Sequence, residues 1–298
     1  YRWFCRLGLD DPVPNHSTFS KNRHGRFRES DAFRRVFEGV LARCMAEGLV
    51  RGEGFATDAS IIKADVNVGR RTPGSEPIDW GNPDEATRPV REYLSALAEV
   101  NDPPPPFKAV SLTDPAASWT NRGGPSYFAY STNYLIDLKA GIIVDVEPSA
   151  VSKAAEVTAT RTMIERVEDR FDLKPERLVG DTNYGSAALL GWLVAEKQIE
   201  PHVRVCDKTE RRDGTLSASA FTWHAENNEY RCPADKPLRS DWRSFNNPRT
   251  HITLADTIIY RARQPDCAAC PMKEQCCPNM PSRKIHRSIH EDASNVAR

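Results

Sequence analysis

The sequence predicts an α/β fold in which a mixed β-sheet is flanked by helices. Strand-like apolar patterns cover residues 54–63, 127–137 and 141–146, and a helical period follows over 154–171. A short strand ending at Gly180, a helix from about 187 to 197 and a strand over 199–205 complete the series. Three strands, a helix, a strand, a helix and a strand is the order of a ribonuclease-H-like core.

The same patterns predict the organisation of the whole chain. A helical segment over residues 1–50 precedes the core. The core runs over 51–206 and contains a polar, Pro-rich insertion over 66–125, within which only residues 89–100 look helical and 103–106 are four consecutive prolines. A β-rich, Cys-containing insertion over 207–285 includes a hairpin at 221–232 and at least one strand within 251–260, and residues 286–298 are expected to form the C-terminal helix of the core.

The N-terminal segment leaves two interpretations open. Ser30-Asp31 is expected to start an amphipathic helix whose apolar positions are Phe33, Val36, Phe37, Val40, Leu41 and Cys44. In residues 15–28, basic side chains alternate with Phe, which is typical of a DNA-contacting loop and helix. We therefore interpret residues 1–50 as the remnant of a DNA-binding domain. An ordinary helix pair packed on the core fits the same pattern.

Charge and hydropathy exclude some functions and weakly favour others. The 41 basic and 41 acidic side chains cancel, whereas nucleic-acid binding favours excess positive charge. Basic residues are nevertheless in excess at both ends, with ten against six acids in residues 1–51 and twelve against seven in 231–298. The sequence contains no membrane-length apolar run, signal peptide or phosphate-binding Gly-x4-Gly-Lys-Ser/Thr loop, so we expect a cytoplasmic protein without ATP-driven chemistry, truncated at both ends.

Asp58 and Asp181 are the first two candidate catalytic residues. Asp58 lies among small and apolar residues in a segment that predicts a buried strand, where an unpaired carboxylate is costly and a metal ion would be a suitable partner. Asp181 follows a short apolar strand, and strand ends in α/β sheets are where ligand-binding groups collect. The alternative for each residue is a turn or capping Asp.

Glu291 is the third candidate. If the last residues form a helix, Arg287, Glu291 and Arg298 share one face, and a carboxylate between two guanidinium groups suits a site that holds metal ions and phosphates. A surface helix with an ordinary Arg–Glu pair is the alternative.

These motifs resemble those of the DDE transposases of bacterial insertion sequences, in the branch with a Cys-rich insertion before the third acid. That family carries Tyr-x2-Arg-x3-Glu-x6-Lys around its third acid. Arg287, Glu291 and Arg298 match it, with Arg in place of the final Lys and Lys284 in place of the Tyr. The step from Asp181 to Tyr184 resembles the second-acid motif, and residues 14–20 resemble the end of the family's N-terminal domain.

The resemblance implies metal-dependent cleavage of transposon ends and strand transfer into target DNA. Asp58, Asp181 and Glu291 would bind two Mg²⁺ or Mn²⁺ ions, with Asp58 between them. The expected DNA-binding residues are Arg287, Arg298, Tyr184 and Lys284. The expected partners are the double-stranded terminal inverted repeats, the target DNA and a second copy of the chain. Two alternatives stay open: a catalytically inactive, zinc-stapled DNA-binding descendant of a transposase, and a metal-dependent nuclease on the same core.

A cysteine cluster in the insertion predicts a structural Zn²⁺ site. Cys267 and Cys270 have the spacing of a zinc knuckle, Cys276 or Cys277 lies six or seven residues further on, and Cys232 is the fourth expected ligand. Four thiolates also hold iron–sulfur clusters, and buried cysteines can be simple packing residues. We expect Cys5, Cys44 and Cys206 to be core residues.

Overall fold

The computed structural model describes the chain except for residues 1, 4, 14, 28–29, 100–107, 123, 206–209, 212 and 242–250 and the side chains of 19 and 24. The helices are α1 His16–His24, α2 Ala32–Ala46, α3 Arg88–Glu99, α4 Lys153–Phe171, α5 Ala187–Gly191, α6 Gln264–Ala268, α7 Lys273–Cys276 and α8 Glu291–Val296. The strands are β1 Gly54–Lys63, β2 Arg71–Pro73, β3 Ala109–Ser111, β4 Ser118–Thr120, β5 Tyr127–Asp137, β6 Ile142–Ser149, β7 Arg177–Gly180, β8 Glu200–Val203, β9 Thr222–His224, β10 Glu229–Arg231, β11 Pro237–Arg239, β12 Thr257–Ala262 and β13 Lys284–Ser288.

The main sheet confirms the predicted mixed α/β arrangement. Its strands lie in the order β6-β5-β1-β7-β8, with β4 pairing beside the first residues of β5. Strands β1, β5 and β6 pair antiparallel, whereas β7 and β8 run parallel to β1. The turn at Gly141, where φ is +68°, joins β5 to β6, as the sequence predicts. Because β4 belongs to this sheet, residues 66–125 are not purely an insertion. The run of four prolines lies outside the described residues.

Helix α4 covers one face of this sheet and carries much of the core. Met163, Ile164 and Val167 of α4 are buried together with Phe55 of β1 and Leu178 of β7. The predicted helix after Asp181 also forms, with α5 continuing into a π-helical turn over Trp192–Lys197. These buried side chains form one core between α4 and the strands β1 and β7.

The N-terminal helix α2 is tied to the core by ion pairs. The buried Asp145 carboxylate accepts hydrogen bonds from Arg34 at 2.6 Å and Arg166 at 2.8 Å. Leu41 of α2 is buried, but Val36 and Val40 are 66% and 61% exposed. Only part of the predicted apolar face of α2 therefore packs against the core.

The insertion forms a second sheet in the order β13-β12-β11-β10-β9, around its own small apolar core. The hairpin β9–β10 and strand β12 confirm the prediction, while β11 and β13 add to it. Strand β13 corrects the C-terminal boundary: residues 284–288 are a strand paired with β12, and the helix begins at Glu291. In the part of the chain described, no helix combines the length and apolar character that a bilayer crossing requires.

Candidate active site and cysteine cluster

Asp58 lies on the central strand β1, but it is exposed rather than buried as predicted. Successive side chains of a strand point to opposite faces. Thr57 is directed towards α4, where its hydroxyl lies 2.9 Å from that of Thr160, so Asp58 points to the other face. Its Oδ1 accepts a hydrogen bond from the backbone N–H of Ala59 at 2.8 Å. The alternation of the strand thus places the carboxylate in solvent.

Asp181 follows β7 directly, as predicted. Its Oδ1 accepts from the Asn183 backbone N–H at 2.8 Å, and its Oδ2 accepts from the Asn183 side-chain amide at 3.1 Å. Asp181 is exposed and its backbone is extended, with φ −76° and ψ 178°. Both carboxylate oxygens are therefore held at the strand end while still facing solvent.

The parallel pairing of β1 and β7 brings these two residues to the same place. The last paired positions are Ala56 and Val179. Asp58 lies two residues further along β1, and Asp181 lies two residues further along the chain, directly after β7. Neighbouring strands are about 4.8 Å apart, and side chains two residues apart share a face. The register therefore brings Asp58 and Asp181 to the same end of the sheet, and both carboxylates lie near Tyr184.

Tyr184 packs beside this pair and is only 2% exposed. A Cβ on Gly180 would lie 3.2 Å from Tyr184 Cδ2 and 3.3 Å from Thr57 Cγ2, so the ring covers the glycine. Burial raises the pKa of Tyr184 to about 12, and the nearby carboxylates of Glu156, Asp58 and Asp181 act in the same direction. The predicted DNA contact by Tyr184 conflicts with this burial, and the residue instead supports the Asp181 turn.

Glu156 is a buried neighbour of the site that belongs to none of the sequence motifs. Its side chain accepts from Ser131 and from Arg122, each at 3.0 Å, and the residue is 2% exposed. In the sequence it is an acidic residue in the first turn of α4, which is a common and uninformative position. Only the tertiary structure shows that it lies near Tyr184.

Glu291 begins α8, which packs against α5, the helix that follows the Asp181 turn. The expectation that Arg287, Glu291 and Arg298 share one helical face is wrong for Arg287, which belongs to β13. The pair of Glu291 and Arg298 does form, with a distance of 2.9 Å between Oε1 and Nη1. The close approach of α8 to α5 depends on Gly191, where a Cβ would lie 2.1 Å from His290 Nδ1.

Arg287 connects the insertion to α8. Its guanidinium lies 4.3 Å from the ring centroid of Trp223 and donates to Asp292 of α8 at 2.8 Å. The side chain is 11% exposed, compared with 39% for Arg298. Lys284, the fourth predicted DNA contact, lies on the same strand and is partly buried.

The five cysteines of the insertion gather around one cavity of about 30 Å³. Burial raises the pKa of Cys276 to about 11 and also raises that of Cys267. Of the cysteines expected in the core, Cys44 packs against it, Cys5 is exposed, and Cys206 lies outside the described residues.

The structure brings together some predicted ligands but not whole ligand sets. Asp58 and Asp181 are neighbours, and the insertion cysteines share a cavity. Across the residues described, however, no three or more His, Cys, Asp or Glu side chains are arranged to hold a metal ion. Glu291 is therefore not gathered with the two aspartates in this arrangement.

Two family models match the chain. The model described as Transposase DDE domain matches residues 95–263, more than half of the 298 residues, and includes Asp181. The model described as Transposase domain (DUF772) matches residues 1–25. No curated protein and no solved structure gives a match. The chain therefore belongs to the Transposase DDE domain family, the DDE transposases of insertion sequences.

Proposed function

We propose that this transposase cleaves the ends of its element and joins them to target DNA, using Asp58, Asp181 and Glu291 on a ribonuclease-H-like core. The strand order β6-β5-β1-β7-β8, antiparallel on one side of β1 and parallel on the other, supports that fold. The observation that supports the proposal is that Asp58 lies on β1 and Asp181 directly after β7, two paired parallel strands at the centre of the sheet.

The exposed carboxylates suit hard divalent cations. Mg²⁺ and Mn²⁺ prefer carboxylate oxygens and retain waters, and both aspartates face solvent at a strand end. Asp58, Asp181 and Glu291 would hold these ions. Because the structure does not gather Glu291 with the two aspartates, α8 would have to carry it to them when the ions bind. Bound there, the ions would activate the attacking oxygen and stabilise the leaving one during displacement at phosphorus.

The surrounding side chains would position the carboxylates and the DNA. Tyr184 and Gly180 fix the turn that presents Asp181, and Arg298 holds Glu291. Guanidinium groups bind phosphate oxygens well, so we assign DNA contacts to Arg298 and Lys284, with Arg287 orienting α8. Because two transposon ends must be joined, we propose that a homodimer acts on the DNA, in the cytoplasm.

The test is cleavage of the element's own terminal DNA in Mg²⁺ or Mn²⁺, with DNA binding measured in parallel. Asp58→Ala, Asp181→Ala and Glu291→Ala should each lower cleavage by about 1,000-fold or more and leave binding largely intact. Asp65→Ala is the matched control, because Asp65 is exposed just beyond the end of β1 and should tolerate the change.

Other outcomes would point to other functions. DNA binding without cleavage by the unsubstituted protein would indicate a DNA-binding descendant and would overturn the proposal. Cleavage without any joined product would indicate a nuclease on the same core. Unchanged cleavage by Asp58→Ala or Asp181→Ala would remove the central pair from the mechanism.

A further inference from the structure

Arg122 lies in the exposed loop that follows β4, and contacts within the loop and with α4 hold it in place. Its backbone N–H donates to Thr120 Oγ1 at 3.3 Å, and its carbonyl accepts from the Tyr127 hydroxyl at 2.9 Å. Its guanidinium donates from Nη1 to Oε1 of Glu156 at 3.0 Å, while 44% of the side chain stays exposed. The backbone and the side chain of Arg122 are therefore both held, and part of the guanidinium faces solvent.

The partner of this exposed arginine is a buried carboxylate. Glu156 accepts from the Ser131 hydroxyl at 3.0 Å as well as from Arg122. Burying a carboxylate costs free energy, and an ion pair often fails to recover that cost. The pair therefore adds little net stability, and its clearer effect is to hold the guanidinium in one position.

Glu156 is connected to the strand that carries the first candidate acid. Its backbone carbonyl accepts from the Thr160 hydroxyl at 3.1 Å. Thr160 Oγ1 lies 2.9 Å from the hydroxyl of Thr57, the residue that precedes Asp58 on β1. The beginning of α4, and Arg122 with it, is thus fixed to β1 beside Asp58.

The second candidate acid lies near the same end of α4. This helix contacts the turn Thr182–Tyr184 that directly follows Asp181. The charges of Glu156 and of both aspartates raise the pKa of Tyr184, which places all three carboxylates around one side chain. Arg122 is therefore anchored at the end of the sheet where the two aspartates lie.

A second cation lies close to the Arg122 loop. Lys63 ends β1, and its Nζ lies 5.1 Å from the centroid of the Tyr127 ring. Because the Tyr127 hydroxyl bonds to the Arg122 carbonyl, the same side chain links both cations. Guanidinium and ammonium groups bind phosphate oxygens, and such contacts position a duplex without reading its sequence.

We propose that Arg122, positioned by Glu156, binds a DNA phosphate beside the candidate catalytic aspartates, with Lys63 as a second phosphate contact. The proposal rests on the DNA binding of the proposed function and adds residues that place the DNA backbone at this end of the sheet. An arginine already fixed by a carboxylate loses little side-chain freedom on binding, which favours a contact of defined geometry. Glu156 is buried and acts through Arg122, so it is a positioning residue.

The test compares DNA binding by the full chain with binding by the double variant Arg122→Gln/Glu156→Gln. The double change keeps the net charge, and the new amide can still accept from Ser131, so no unpaired carboxylate is left buried. Affinity for the element's terminal DNA is measured between about 50 and 200 mM salt. We expect the affinity to fall by about 10-fold or more. The slope of log affinity against log salt should become shallower by about one, the value for one lost phosphate contact.

Glu168→Gln/Lys197→Gln is the matched control, because this ion pair of 2.7 Å joins the opposite end of α4 and its removal also keeps the net charge. Its affinity and salt slope should equal those of the unsubstituted protein. Glu156→Met alone tests the positioning role. It adds net positive charge, which by itself would strengthen binding, yet we expect weaker binding because Arg122 loses its anchor.

Thermal melts show which variants are folded. If the double variant fails to fold, Arg122→Lys provides the second measurement: it keeps the charge opposite Glu156 but loses the planar fork, so affinity should fall by about 5-fold or more. Unchanged affinity and salt slope in a folded variant of Arg122, or stronger binding by Glu156→Met, would overturn this proposal and leave the roles of the three acids untouched. An unsubstituted protein that does not bind the terminal DNA would overturn the proposed function and this proposal together.

Discussion

At the scale of single residues, the alternation of β1 separates structural side chains from the candidate catalytic one. Thr57 turns inward and meets Thr160, whereas Asp58 turns outward. The sequence shows an Asp in an apolar strand, which suggests a buried charge. The structure instead gives it an exposed position next to Asp181, where a carboxylate has no burial cost and remains available to a cation.

Substitutions of Tyr184 test whether packing supports the turn that carries Asp181, the second candidate acid. Its ring covers Gly180, and its buried hydroxyl lies beside the Thr57 side chain. We expect Tyr184→Phe to change the free energy of unfolding by less than about 1 kcal/mol and to keep cleavage, because the ring remains. Tyr184→Ala should cost about 3–5 kcal/mol, as large-to-small core changes do. Chemical denaturation and the cleavage assay measure both. Loss of DNA binding in a stable Tyr184→Phe protein would contradict this role.

Glu229 is expected to make the stability of the insertion depend on pH. Its carboxylate is buried between Arg239 at 2.5 Å and Arg231 at 2.8 Å, and these hydrogen bonds lower its pKa. A lowered folded-state pKa means that the stabilisation is complete above the ordinary Glu value of about 4.3 and is lost as pH falls through the folded-state value. Glu229→Gln should therefore be less stable at neutral pH, by about 1–3 kcal/mol, and the difference should shrink in acid.

Thermal melts of the two proteins between about pH 7 and pH 3 measure this difference across the titration range of carboxyl groups. Glu226→Gln serves as the control, because Glu226 is exposed in the same hairpin and should show little effect at any pH. A stability difference between Glu229→Gln and the unsubstituted protein that stays constant with pH would refute the assignment.

At the scale of elements, the position of α8 determines the position of Glu291, the third candidate acid. Its first residue is Glu291, and the helix is held from one side by α5 and from the other by the contact of Arg287 with Asp292. The strand β13 thus replaces the longer helix that the sequence suggested, because residues 284–288 complete the pairing of β12. Tertiary pairing outweighs the local helical spacing of Arg287 and Glu291.

Gly191 tests the importance of the α5–α8 contact. Gly191→Ala would place a methyl group where the His290 imidazole lies, so the ring must be displaced, and we expect this to move the adjacent Glu291. Because small displacements of catalytic groups are costly, we expect cleavage to fall by about 10- to 100-fold while DNA binding is retained. Gly39→Ala is the matched control: an added Cβ there meets nothing within 4 Å, and a helical Gly→Ala change should stabilise α2 by about 0.5–1 kcal/mol. Unchanged cleavage by Gly191→Ala would mean that the position of α8 does not matter.

At the scale of the molecule, the elements of the main sheet could be predicted from the sequence, but the contacts that join other parts of the chain to it could not. Hydrophobic period and turn residues were enough to find β5, β6, α4 and β7 within a few residues, because these elements follow local rules. The partner of each side chain depends on the fold. Local sequence patterns therefore did not reveal the ion pair between Asp145 and Arg34 of α2, the burial of Glu156 or the strand β13.

The candidate site shows the same difference between what local sequence patterns indicate and what depends on the fold. The sequence indicated Asp58 and Asp181 separately, and only the register of β1 against β7 makes them neighbours. It indicated four zinc ligands from spacing, whereas the fold brings all five insertion cysteines to one cavity. The burial of Tyr184 and the strand position of Arg287 could not be inferred from spacing, because both depend on long-range packing.

The most direct test of the central claim replaces one candidate metal ligand with a softer one. Asp181→Cys should be inactive in Mg²⁺, which binds thiolate poorly, and should recover cleavage of the element's terminal DNA in Mn²⁺. Asp65→Cys, altered at an exposed position just beyond β1, should remain active in Mg²⁺ and controls for the added thiol. Recovery specific to Asp181→Cys would establish that this side chain contacts the catalytic ion. Full activity of Asp181→Cys in Mg²⁺, or a folded variant that Mn²⁺ does not restore, would contradict the account.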